Sequence, residues 1–148
     1  MGLAIELKPV LELPADIELL RIEASTAGFR FMEKLVKEWE SKANRFDKKG
    51  EMLIGAYHNA RLVAVGGLNI DPYVDDPSIA RLRHLYVLKP IRRQGVASSI
   101  ARYLLDTART SFSGVRLFTD TAEAAALYEK LGFTRANCVN ATHIIRFR

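Results

Sequence analysis

Apolar residues at Ala97, Ile100, Ala101, Leu104, Leu105 and Ala108 recur at intervals of three and four, so the segment Ala97 to Ala108 is predicted to form an amphipathic helix with one continuous stripe. Phe31, Met32, Leu35, Val36 and Trp39 keep a second helical face, which Gly28 is expected to separate from an earlier helix opened by Pro14-Ala15-Asp16. A short apolar start comprises Ala4, Ile5 and Leu7. Denser apolar runs at Met52 to Tyr57 and Leu62 to Ile70, joined around Asn59-Ala60, predict a β-hairpin. Further strands are expected at Leu82 to Val87, Val115 to Thr119 and Thr142 to Phe147. The stretch from Asp71 to Pro77 carries two prolines and three aspartates and must be a loop, its aspartates most simply read as solvated turn formers. Asp120 with Glu123 resembles a capping box for a short helix whose face is Ala124, Leu127, Tyr128 and Leu131, and Gly132 ends it.

Alternation of helices and strands over 148 residues, without repeats or a dividing linker, predicts one α/β domain spanning residues 1–148. No run approaches the ~20 apolar residues of a membrane span, and Met1-Gly2-Leu3-Ala4-Ile5-Glu6 has no leader pattern, so a cytoplasmic protein without membrane contact is expected. Cys138 is the sole cysteine, which rules out an intramolecular disulfide and a cysteine metal cluster; no metal is expected. A net charge of +5 favours partners bearing phosphate or carboxylate. The basic residues are scattered and no aromatics interleave with them, so a nucleic-acid partner is only weakly signalled.

The most informative chemistry lies between the Leu82 to Val87 strand and the following helix, at Arg92-Arg93-Gln94-Gly95-Val96-Ala97. A glycine-containing turn from strand to helix converges backbone N–H groups on the positive end of the helix dipole, an arrangement that binds anions. Gly95 lets the backbone bend and lets a ligand approach it closely. A phosphate-bearing ligand is therefore expected. Arg92 and Arg93 could reach further phosphates, or could be solvated loop charges.

Two motifs in order resemble those of the GNAT N-acetyltransferase superfamily. Arg92-Arg93-Gln94-Gly95-Val96-Ala97 is similar to its acyl-CoA loop, Gln/Arg-x-x-Gly-x-Gly/Ala, with Leu85-Tyr86-Val87 upstream as the strand end. Ala124-x-x-Leu127-Tyr128-Glu129-Lys130-Leu131-Gly132-Phe133 resembles the family's later motif. The resemblance covers Arg81 to Phe133 and implies a mixed, strongly twisted sheet with helices on both faces, its central parallel strands splayed into an acetyl-CoA cleft. It further implies that the Tyr86 and Val87 backbone pairs with pantetheine, that amides from Arg93 through Gln94, Gly95, Val96 and Ala97 hold the pyrophosphate with Ser98 and Arg92, and that Tyr128 supplies a proton to the departing thiolate. Without it, Tyr128 reads as a core tyrosine. The implied function is acetyl transfer to a primary amine of a small molecule or peptide, and a homodimer is plausible.

The chain departs from the family pattern in two places. Arg81 and Arg83 stand where many members carry an acidic residue or histidine that takes the amine proton. Strand alternation puts Arg81, Arg83 and Leu85 on one face and His84 on the other, so His84 is expected to be structural and hydrogen-bonded within the sheet. The two arginines could depress the amine pKa or clamp a carboxylate or phosphate on the acceptor, whereas Asp71, Asp75 and Asp76 in the preceding loop, if not simply turn formers, could attract an ammonium group. Thr121 replaces the asparagine that often contacts pantetheine, yet its hydroxyl can make one hydrogen bond. His143, on the last strand, could face the same cleft, but no spacing separates it from an ordinary surface histidine. The missing base leaves room for a second class, a GNAT-like acyl-CoA-binding sensor or interaction module without efficient catalysis.

Overall fold

The computed structural model describes residues 3–148; Met1 and Gly2, part of the segment read for a leader, lie outside it. Its seven-stranded sheet contains β1 (Glu6–Pro9), β2 (Met52–His58), β3 (Arg61–Ile70), β4 (Ile79–Val87), β5 (Gly114–Leu117), β6 (Thr134–Arg135) and β7 (His143–Arg146). Their order is β1-β2-β3-β4-β5-β7-β6, with every neighbouring pair antiparallel except β4 and β5. Among the described residues the α-helices are α1 (Ile17–Thr26), α2 (Phe31–Glu40), α3 (Val96–Ala108) and α4 (Ala122–Lys130).

Each helix covers the sheet with the stripe read from its sequence. Leu20 and Ala24 of α1 and Met32, Leu35 and Trp39 of α2 bury Leu53, Leu62, Val65 and Tyr86 on one face. Ile100, Ala101, Leu104 and Leu105 of α3, with Tyr128 of α4, bury Ala64, Leu68, Leu82 and Val115 on the other. The closeness of α3 depends on Gly66: a Cβ there would lie 2.6 Å from Ile100 Cγ2. The hairpin turn holds both Asn59 and Ala60 at positive φ, 50° and 66°, as the two-residue turn that matches strand twist requires.

The one parallel pair creates the cleft. Ile79, Ala80 and Arg81 pair with Gly114, Val115 and Arg116, and there the pairing stops, although β4 runs on for six residues. β5 ends at Leu117, two residues earlier than expected, and continues its pairing with β7 on its other edge. The strands therefore part beyond Arg81–Arg116, and the β4 edge that turns toward β5 is left open from Leu82 to Val87.

Within β4 a bulge overturns the simple alternation. Val65 pairs with Tyr86 and Gly67 with Arg83, so Gly66 alone faces His84 and Leu85. His84 takes the extra position at φ 61°. Leu85 consequently packs against the α3 side with Leu82 and Val87, not beside Arg81 and Arg83 as alternation predicted. β4 also begins three residues earlier than read, at Ile79, and the two-residue β6 was not foreseen.

Candidate active site

The turn into α3 has the geometry of an anion cradle. Arg93 and Gly95 both lie in the left-handed region, at φ 64° and 80°, and Gly95 is the N-cap of α3. Such a sequence of backbone angles turns successive N–H groups to one side, and the α3 dipole points its positive end at the same spot. The amides of Gln94 to Ser98 have no backbone acceptor among the described residues; the first first-turn bond is from Ser99 N–H to the Gly95 carbonyl, at 3.0 Å. A Cβ on Gly95 would meet nothing within 4 Å, so the space beside the backbone is open to a ligand. The residues present thus fit a pyrophosphate held by backbone amides. Val96 contributes only its amide, because its side chain is in the core. The Ser98 hydroxyl accepts from Arg102 Nε at 3.3 Å and keeps its own proton to donate.

Arg92 is committed elsewhere. Its Nε donates to the Val87 carbonyl at 2.8 Å, its guanidinium stacks over the Tyr86 ring at 5.2 Å, and Nη2 lies 3.8 Å from Glu23. The side chain ties the strand end to α1, whereas Arg93 is exposed and has no ion pair among the described residues. Glu23 was missed in the sequence, where nothing marks one glutamate of α1. Its carboxylate accepts from the Tyr86 hydroxyl at 2.6 Å and from Lys89 N–H at 3.0 Å. Burial first, then this carboxylate, pushes the Tyr86 phenol up to about 12.

Tyr128 is buried in the α3-side core, its ring edge-on to Phe133 at 5.7 Å. Burial pushes its phenol above the usual range, so it stays protonated. No protein acceptor takes its hydroxyl among the described residues. Thr121, not Asp120, caps α4: its Oγ1 accepts from Ala124 N–H at 3.2 Å, leaving the hydroxyl proton free to donate. His143 is no surface histidine. It is buried on β7 and turned to α4, where Nε2 lies 2.8 Å from Glu129 Oε2, while Nδ1 meets Thr142 Oγ1 at 2.9 Å.

On the α1–α2 face, Arg83 is half-buried and Arg81 buried. Asp71, read as a solvated turn former, is fully buried and ion-paired to Arg116 at 3.1 Å and to Arg81 at 3.6 Å. It also makes its turn, accepting from Tyr73 N–H at 2.8 Å. His84 packs edge-on against Phe46, and neither ring nitrogen has a hydrogen-bond partner, contrary to the expected satisfied histidine.

Burial, then the charges of Arg83 and Lys34, lower the His84 pKa from 6.5 to about 3. The unfolded chain takes up a proton near pH 6.5 that the folded chain refuses until about pH 3, so stability falls as pH drops through that window. Urea unfolding at pH 7 and pH 5 is expected to differ by about 2 kcal/mol from this group. His84→Asn, which tolerates the left-handed backbone, should remove that part of the difference. An unchanged pH dependence would show that His84 does not carry it.

Comparison with known proteins agrees with this geometry. The Acetyltransferase (GNAT) family model matches residues 17–133. A candidate acetyltransferase from Exiguobacterium sp. 255-15 superposes with a TM-score of 0.87 at 20% identity, covering 97% of this chain and 94% of that one. A GNAT acetyltransferase from Brucella melitensis, crystallised in complex with acetyl-CoA, superposes with a TM-score of 0.68 at 16% identity, covering 98% and 89%. Human N-acetyltransferase 8 is 41% identical over an aligned length of 69 residues, covering 42% of this chain and 30% of that protein. The chain thus matches less than a third of that relative's length. At such identities the solved structures establish the fold, a mixed and open GNAT sheet, whereas the family model takes in more than half of the sequence. This chain belongs to the GNAT acetyltransferase family.

Proposed function

We propose that the protein transfers an acetyl group from acetyl-CoA to a primary amine of a small molecule or peptide. The observation that carries this reading is the cradle of left-handed Arg93 and Gly95 at the α3 N-terminus, set at the end of the strand whose edge is opened by the β4–β5 splay. Amides from Arg93 to Ala97 and the Ser98 hydroxyl would hold the pyrophosphate; the open backbone edge at Tyr86 and Val87 and the Thr121 hydroxyl would take the pantetheine. The acetyl-CoA bound by the Brucella relative supports the same ligand here.

In the reaction the amine nitrogen adds to the thioester carbonyl, the C–S bond breaks, and the sulfur leaves with the bonding electrons. Tyr128 is the group assigned to meet that charge. Its phenol is a weaker acid than usual, and a free thiol has a pKa near ~8.5, so complete proton transfer to the thiolate runs uphill. Tyr128 therefore acts chiefly as a hydrogen-bond donor to the sulfur as charge builds, with the amine proton lost to water.

His84 cannot take the amine proton at neutral pH, because its conjugate acid is too strong. His143 is bound to Glu129 on the α4 side. The acceptor must then react as the free amine, and kcat/KM should rise with pH toward the acceptor's own pKa. The test is acetyl-CoA-dependent thiol release across free amino acids, polyamines, aminoglycosides, arylamines and peptides, with a pH–rate profile for the best acceptor. A plateau near pH 6 to 7 would reveal a base that the geometry does not supply. Tight acetyl-CoA binding without turnover of any amine would favour the binding-module reading, which the missing base supports.

A further inference from the structure

One carboxylate serves two guanidiniums at the point where β4 and β5 part. Asp71 Oδ2 accepts a hydrogen bond from Arg116 Nη1 at 3.1 Å, and its Oδ1 accepts from Tyr73 N–H at 2.8 Å. Arg81 Nη1 stands 3.6 Å from Oδ2, beyond hydrogen-bond reach, and is buried without a partner. Arg116 therefore takes the hydrogen bond to Asp71, while Arg81 keeps only the longer ion pair, its guanidinium covered by the Tyr73 ring at 4.7 Å. A guanidinium stays charged in proteins, so a buried N–H left without a hydrogen-bond acceptor favours a further anionic acceptor. Directly opposite Arg81 in the β3–β4 register is Asn69, whose side chain shares its face and whose Oδ1 is likewise buried without a donor. Two paired positions on one face thus each carry a buried polar atom without a hydrogen-bond partner, a cationic donor on Arg81 and an acceptor on Asn69.

We infer that Arg81 and Asn69 form the carboxylate-recognition corner of the acceptor site, and that the acceptor is an α-amino acid or an amine built like one. A carboxylate completes Arg81 Nη1 and an N–H completes Asn69 Oδ1; an α-amino acid carries the two groups one carbon apart. The corner sits at the apex of the splay, since Arg81–Arg116 is the last paired position of the parallel strands. It lies on the α1–α2 face, away from α3, as Arg81 alternates with Ala80 and Leu82 on the α3 side. Tyr73, about half exposed on the loop after β3, must swing aside to admit the carboxylate. This inference rests on the acetyl-transfer reading and narrows its acceptor.

The test compares L-amino acids with their own carboxamides as acceptors, at saturating acetyl-CoA, in wild type, Arg81→Gln and Arg81→Lys. Expected is a kcat/KM preference of at least tenfold for the acid in wild type, carried by KM, that collapses in Arg81→Gln and is partly restored in Arg81→Lys. Folding of the variants is checked by circular dichroism and by calorimetric acetyl-CoA binding; Asp71 keeps Arg116, so both should fold. The wild-type acid-to-amide ratio stands as a test even where a variant does not. Equal use of acids and amides by wild type, or an equal KM rise for both in Arg81→Gln, overturns the inference while leaving acetyl transfer intact. If no amine is turned over, thermal shift by the same acids and amides without acetyl-CoA decides: a shift by acids only, lost in Arg81→Gln, upholds the corner, whereas no shift, or the same shift with chloride or phosphate alone, overturns it.

Discussion

Tyr128→Phe is expected to fold normally, to bind acetyl-CoA as wild type does, and to lose kcat by roughly ten- to a thousandfold. The substitution removes one atom. The ring keeps its edge contact with Phe133 and its place among the α3-side core residues, so packing gives no reason for a stability loss. Because the hydroxyl takes part in no protein hydrogen bond among the described residues, its removal leaves no buried partner orphaned, and the usual penalty of a broken buried pair does not arise. What disappears is the proposed donor to the leaving sulfur. KM for the acceptor should stay near its wild-type value, since the phenol contributes to the transition state and not to acceptor binding. Single-turnover thiol release measures the chemical step apart from product release. A Tyr128→Phe enzyme as fast as wild type would leave Tyr128 a packing residue and move the donor role elsewhere.

The parts of the fold that local pattern encodes were legible in the sequence. The α3 stripe, the Asn59-Ala60 hairpin, the Gly28 break and the cradle before α3 all depend on residues a few positions apart, and the observed elements follow them within one to three residues. The acceptor side was not legible to the same degree, because it is made by pairing over long separations. Asp71 looks like any loop aspartate until the parallel pairing of β4 with β5 brings Arg116 beside it, 45 residues along the chain. The ion pair of Arg92 with Glu23, 69 residues away on α1, is one that no motif announces. His84 was assigned to a regular strand, and only the extra residue opposite Gly66 reveals why period-two alternation fails after Arg83. The bulge is costly at a non-glycine residue in the left-handed region, and its histidine is buried without partners. The failed expectations for the face of Leu85 and the hydrogen bonding of His84 both lie at this bulge.

Gly95→Asp is expected to abolish acetyl-CoA binding, and Gly95→Asn to weaken it only moderately. The pair separates charge from shape. At φ 80° any side chain carries backbone strain, but aspartate and asparagine tolerate the left-handed region better than other residues, and a Cβ at Gly95 meets nothing within 4 Å. Both variants should therefore fold, with a similar small stability cost of about 1 kcal/mol. They differ in one respect: aspartate adds a carboxylate at the α3 N-terminus, where the unpaired amides would otherwise receive phosphate oxygens. A helix N-terminus favours that anion, so the new carboxylate is held in the cradle and repels the pyrophosphate at the distance where charges interact most strongly. The expected gap between the two variants is roughly a hundredfold or more in Kd, about 2.7 kcal/mol, and it should narrow as salt is raised. Titration calorimetry with acetyl-CoA, on protein checked by circular dichroism, reads it directly. Equal affinity in Gly95→Asp, Gly95→Asn and wild type would mean that the phosphates do not lie against this turn, and the assignment of Arg93 to Ser98 would have to be abandoned.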